Sequence, residues 1–211
     1  MATVGLRAQL ARASEIATVL FASEFDWLVE ALGLSACVSP RCRFMCAFRP
    51  KQQCPHHVAM DLPLPERMRA VLEQLGPTFV KAGQMLALRP DYVPLGYAEA
   101  LRSLHDDVPP FPGEQAARLV EEELGKPLAQ MFTEFEREPF AAASLSQVHR
   151  ALRPDGRAVA VKVQRPGIGE QVERDLALLA FLARRLENRR PEALAFRPTA
   201  AVAEFAEYTR R

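Results

Sequence analysis

The chain has 211 residues, 49% hydrophobic and 25% charged, the balance of a globular protein of one large or two small domains. Twenty-seven lysines and arginines meet 26 acids, a net charge of +1, which argues against a nucleic-acid partner because such partners select a concentrated basic face. No apolar run reaches the roughly 18 residues of a membrane-spanning helix.

Arg7 and Arg12 precede the first acid, Glu15, as in a transit peptide. Glu24 and Asp26 follow quickly and no apolar signal core is present, so the start is expected to be part of the folded chain. Over 6–32, Leu6, Leu10, Ala13, Ala17 and Leu20 recur on one stripe, which predicts a helix. Residues 33–63 mix prolines, cysteines and basic residues without a period and read as a linker. Cys37, Cys42, Cys46 and Cys54 lie there, followed by His56 and His57. A zinc site prefers tight C-x-x-C pairs, which are missing, so the expectation is no metal and reduced thiols.

Pro65 opens a helix whose face is Met68, Val71, Leu72 and Leu75, with Gly76 as its stop. "LGPTFVKAGQMLALRP" follows as a second helix ending before Pro90, and it carries Lys81, Gly83 and Gln84 in an otherwise apolar run. A third helix is predicted from about Leu95 to Leu104. A fourth, "EQAARLVEEELG", turns Ala116, Leu119, Val120 and Leu124 inward. After Pro127 the period becomes that of strands. Asp155-Gly156 is strong turn chemistry, and in "RAVAVKVQ" Val159, Val161 and Val163 oppose Ala160, Lys162 and Gln164. A buried helix is expected over about 169–188, and another begins near residue 200.

"VAVK", ending at Lys162, has the form of the strand lysine that meets the α- and β-phosphates of ATP in protein kinases. The small residues Ala141, Ala142, Ala143 and Ser144 stand where a kinase places its Gly-rich loop. Three spaced segments, "KAGQ", "AAASLSQVH" and "VAVKVQRPGI", together resemble the UbiB/AarF family of atypical kinase-like proteins tied to ubiquinone biosynthesis. The resemblance covers about residues 62–190. It departs at Ser146, where the family usually has glycine, and a serine there would hinder a close backbone approach to phosphate.

The resemblance implies an α+β fold: a protein-kinase-like N-lobe, a small antiparallel sheet with helices, preceded by an N-terminal helical extension, with the C-lobe absent. The implied segments are an N-terminal helix (1–32), the irregular linker (33–63), a helical K-x-G-Q extension (64–126) and a truncated N-lobe (127–211). It implies ATP and Mg²⁺ as cofactors, nucleotide contacts from Lys162, Ala141, Ala142, Ala143, Ser144 and Ser146, and a gating role for Lys81, Gly83 and Gln84. A lipid-like substrate, peripheral attachment to a membrane surface and a cytoplasmic setting are implied as well. Phosphoryl transfer also needs an aspartate beside the nucleophile and an Asn/Asp pair for Mg²⁺. After Lys162 there are only Asp175 and Asn188, neither in a catalytic-loop context, so no complete catalytic set is expected and no metal ligands. Glu173 is where an ordinary kinase would hold the lysine's partner; the family pattern places that glutamate after a stretch like "EFAEYTRR".

The expectation is thus an N-terminal part of a UbiB-type protein, inactive as this chain. The alternatives are a non-catalytic module binding a partner or membrane surface, and a metal-binding regulator built on the cysteines. Exposed apolar surface leading to self-association is expected in either of the first two cases.

Overall fold

The computed structural model describes residues 6–48, 61–89, 91–104 and 109–210. They divide into two compact units, one of residues 1–104 with 170–211 and one of residues 105–169.

The first unit is helical. Helices α1 (Leu6–Ala22) and α2 (Asp26–Ala31) replace the single helix expected over 6–32. The break lies at Glu24, which takes a positive φ of 62° that a helix cannot continue through, and Phe25 is then fully buried. Burying that ring is worth about 2–3 kcal/mol, enough to hold the kink. Residues 35–48, read from the sequence as irregular, contain a 3₁₀ turn (Ser35–Cys37) and helix α3 (Pro40–Phe48). Proline at the first helical position supplies a fixed φ, and no glycine or proline interrupts the next eight residues. Cys54, His56 and His57 lie outside the described residues.

Helices α4 (Leu64–Leu75), α5 (Pro77–Ala87) and α6 (Leu95–Arg102) follow the expected pattern closely. Gly76 joins the first two at φ 95°, a conformation that leaves room for glycine alone among common residues. Its carbonyl then accepts from the Phe79 and Val80 amides and starts α5. Helices α9 (Ile168–Arg189) and α10 (Pro198–Arg210) complete the set. One core gathers Ile16, Leu20, Phe25, Val71, Leu75, Phe79, Leu178 and Leu182. Within it Asp175 is 1% exposed and meets Arg12, whose Nε donates at 2.7 Å and whose Nη2 also donates to the Leu75 carbonyl at 2.6 Å. Leu10 is exposed, so the stripe of α1 is narrower than its sequence suggested.

Glu187 caps the start of α10: the Thr199 amide donates to one carboxylate oxygen at 2.9 Å and the Thr199 hydroxyl to the other at 2.6 Å. The hydroxyl's hydrogen bond, followed by the amide's, holds the Glu187 carboxyl below its ordinary range. A depressed folded value stabilises above the ordinary glutamate value and is lost as pH falls through it. Melting temperature followed from pH 7 to about pH 3 is therefore expected to fall more steeply for wild type than for Glu187→Gln, with the two curves converging in acid.

The second unit packs α7 (Gly113–Leu124) and the short α8 (Leu128–Met131) against a four-stranded antiparallel sheet. Strands β1 (Glu134–Phe135) and β2 (Ala141–Ala142) pair with opposite ends of β3 (Ser146–Leu152), and β4 (Ala158–Gln164) runs along its other edge. The β3–β4 hairpin turns at Gly156, φ 80°, with the Asp155 carboxylate accepting from the Arg157 amide at 3.1 Å. Ala116, Ala117, Val120, Leu128 and Val163 form the core. Leu124, expected inside, is exposed at the end of α7.

Candidate functional site

The hairpin register decides which residues share a face. Ala141 pairs with Val148, and Val148 pairs with Lys162, so the three stand in one row across β2, β3 and β4. Directly opposed residues project to the same side, which puts Lys162 two strand spacings, about 10 Å, from Ala141. Ser146 pairs with Gln164 and belongs to the same face. The opposite face carries Ala142, Gln147 and Val163 into the core. Lys162 is exposed, and its ammonium has no ion-pair or hydrogen-bond partner among the described residues. The valine alternation read from the sequence is what aims it outward.

Residues 143–145 form the tight link from β2 to β3. The Ala143 amide donates to the Ser146 carbonyl at 2.8 Å, while Ser144 and Ser146 are both buried. None of Ala141–Ser146 has a positive φ, so serine at 146 meets no backbone demand for glycine. Arg165 staples the link: its Nε donates to the Ala143 carbonyl at 3.0 Å and its amide donates to the Leu145 carbonyl at 3.0 Å. It also donates through Nη2 to the Pro109 carbonyl at 2.9 Å. Sequence reasoning missed this arginine; its position directly after Gln164, the end of the lysine-bearing face, was the available signal.

Beneath the link, the "QVH" residues are scaffold. Gln147 is fully buried and makes a two-point contact with the backbone of one residue, accepting from the Phe111 amide at 3.0 Å and donating to the Phe111 carbonyl at 3.1 Å. Its second amide hydrogen faces His149 Nε2 at 2.9 Å, and His149 Nδ1 faces the Glu136 carbonyl at 2.8 Å. Only a neutral imidazole with its proton on Nδ1 satisfies both contacts. Phe135 stacks on that ring at 5.0 Å.

The K-x-G-Q residues belong to the helical unit. The space above Gly83 is filled by the Leu104, Leu72 and Leu101 side chains, so a Cβ there would collide with two leucine methyls. Close packing of α4, α5 and α6 is a sufficient physical reason for this glycine. Gln84 donates to the Leu104 carbonyl at 3.3 Å, tying α5 to the end of α6. Lys81 holds its ammonium 5.3 Å from the centre of the Tyr208 ring on α10, a cation–π contact with no counterpart in the sequence pattern. Arg89 forks between Asp91 and Glu204, with Nη1 2.9 Å from Glu204, which joins the segment after α5 to α10. Glu173 is engaged by Arg210 through two hydrogen bonds of 2.7 and 2.8 Å, and that guanidinium lowers its pKa.

Among the described residues no group of three or more His, Cys, Asp or Glu side chains could hold a metal ion. Asp175 is engaged by Arg12. Among the same residues no helix is long and apolar enough to cross a membrane.

Over 140 residues the chain is 46% identical to a protein of Marinobacter nauticus named "Probable protein kinase UbiB", covering 66% of this chain and 26% of the relative. A Vibrio cholerae protein of the same name is 43% identical over 146 residues, 69% of this chain and 27% of its own. A third, from Cellvibrio japonicus, is 44% identical over 140 residues, 66% of this chain and 25% of its own. The chain thus spans about a quarter of the length of the curated relatives it matches. The solved Rv3197–erythromycin complex from Mycobacterium tuberculosis is similar at 31% identity and a TM-score of 0.38, over 63% of this chain and 35% of that one. The model of the ABC1 atypical kinase-like domain matches residues 103–211, just over half the chain, and the chain belongs to that family.

Proposed function

We propose that the unit of residues 105–169 is a nucleotide-phosphate-binding element of a UbiB-type protein serving ubiquinone biosynthesis. One observation carries the reading: Ala141, Val148 and Lys162 stand in a single row on one face of the sheet, with the ammonium of Lys162 exposed. A lysine on a rigid strand beside a tight, small-residue link suits the phosphates of ATP. In this reading Ala141, Ala142, Ala143, Ser144 and Ser146 shape the backbone that the phosphates approach. Arg165 holds that backbone in place. No group of three or more metal-ligating side chains stands among the described residues, and no phosphoryl-transfer step is drawn through Mg²⁺. In this reading nucleotide binding is weak.

Isothermal titration with ATP and ADP, with and without Mg²⁺, is expected to give a dissociation constant of roughly 0.1–1 mM for wild type. Lys162→Ala is expected to weaken it about 10-fold or more, the worth of one charge-assisted contact. Equal binding by the variant, or phosphate release that Lys162→Ala abolishes, sinks the reading. The alternative is a non-catalytic module that docks on a partner or membrane surface. Absence of nucleotide binding together with co-sedimentation on anionic vesicles would select it.

A further inference from the structure

Helix α3 changes what the cysteines can do. As a loop, Cys42 and Cys46 were two thiols among four. As positions i and i+4 of one helix they share a face, and their sulfurs stand 3.8 Å apart. Two metal–thiolate bonds of about 2.3 Å, closing at a tetrahedral to trigonal angle, separate sulfurs by about 3.8–4.0 Å. The pair is already at that spacing, well beyond the roughly 2.05 Å of a disulfide bond.

The surroundings point the same way. Cys42 is 2% exposed and packs with Ala22 and Phe21, while Cys46 is half-buried at the rim of the same cluster. One sulfur is thus shielded from water and the other offers an entry path. Met45 follows Cys42 by three residues, so helical spacing puts a third sulfur-bearing side chain, also half-buried, on that side of α3. Cys42 lies in the first turn of α3, where aligned amide dipoles favour a negative sulfur.

We propose that Cys42 and Cys46, with Met45 as the third sulfur, form a binding site for a soft monovalent d¹⁰ cation of the Cu(I) class. Two thiolates and a thioether select such an ion over harder divalent cations. The binding step releases two protons: Cu⁺ and two thiols give a bis-thiolate cuprous complex and 2 H⁺, with no change of oxidation state. An apolar wall on one side strengthens the metal–thiolate attraction and limits access of competing water. Such a site would tie α3 to the end of α1 through Ala22 and Phe21, which makes the ion a stabiliser of this corner of the helical unit.

The test is an anaerobic titration of the reduced full chain with Cu(I) against a colorimetric Cu(I) chelator. One ion per chain is expected, and Cys37→Ser with Cys54→Ser is expected to leave the affinity unchanged. Cys42→Ser and Cys46→Ser are each expected to weaken binding by on the order of 100-fold, and Met45→Leu by about 10-fold. Circular dichroism of each variant guards against loss of fold. A second measurement needs no substitution: bound Cu(I) is expected to protect Cys42 and Cys46, but not Cys37, from maleimide labelling read by peptide mass spectrometry. Undiminished copper binding by the Cys42→Ser/Cys46→Ser double variant, or equal protection of Cys37, overturns the proposal. So does Zn(II) binding as tightly as Cu(I).

Discussion

Asp175→Ala is expected to cost about 3–5 kcal/mol of unfolding free energy, the largest single-residue loss in the helical unit. Asp175 is 1% exposed, and Arg12 contacts both of its oxygens, at 2.7 and 3.2 Å. Arg12 is itself only 15% exposed; it also lies 5.4 Å from the centre of the Phe79 ring. Removing the carboxylate therefore strands a guanidinium among apolar groups, and that uncompensated charge dominates the cost. The exposed Glu15, at 2.8 Å from the same guanidinium, recovers little of it. Urea unfolding followed by far-UV circular dichroism measures the loss, and Arg12→Met/Asp175→Leu serves as the control. If the double variant regains most of the stability, the pair's value lies in mutual neutralisation. A loss under about 1 kcal/mol for Asp175→Ala would contradict the buried pairing.

Gln147→Ala is expected to cost about 3–4 kcal/mol in the sheet unit. It leaves the Phe111 amide, the Phe111 carbonyl and His149 Nε2 without their partner, and it opens a cavity in a fully buried position. Gln147→Glu isolates the polar part: volume is kept, but a charge is buried and both amide N–H donors, to the Phe111 carbonyl and to His149 Nε2, are lost, so a comparable loss is expected. Amide hydrogen exchange should localise the effect, with Phe111 and the β2–β3 link losing protection first. Stability unchanged within about 0.5 kcal/mol would mean that the network is not formed.

These two positions show how differently the sequence advertises its residues. Asp175 looked like a stray acid in an amphipathic helix, and Gln147 like one letter of a nucleotide motif. Their work is to hold distant segments together: Asp175 and Arg12 are 163 positions apart, and Gln147 and Phe111 are 36. No local pattern encodes such partners. Tyr208 over Lys81 and Arg165 on the alanine link were hidden for the same reason.

What the sequence alone determined was everything governed by short-range physics. Proline and glycine punctuation set α4 and α5 within a residue or two, because those residues act on their own φ angles. The Asp155-Gly156 turn and the valine alternation defined the β3–β4 hairpin and the outward face of Lys162, because a strand's period is two and its register follows from the turn. The three spaced motifs identified the family. Tertiary structure decided the rest. Burial of Phe25 breaks the first helix, and three leucines claim the space above Gly83. Ala22 and Phe21 of α1 close over Cys42 of α3. Each of these outcomes turns on which remote side chain fills a given space, and that is settled only when the whole chain has packed.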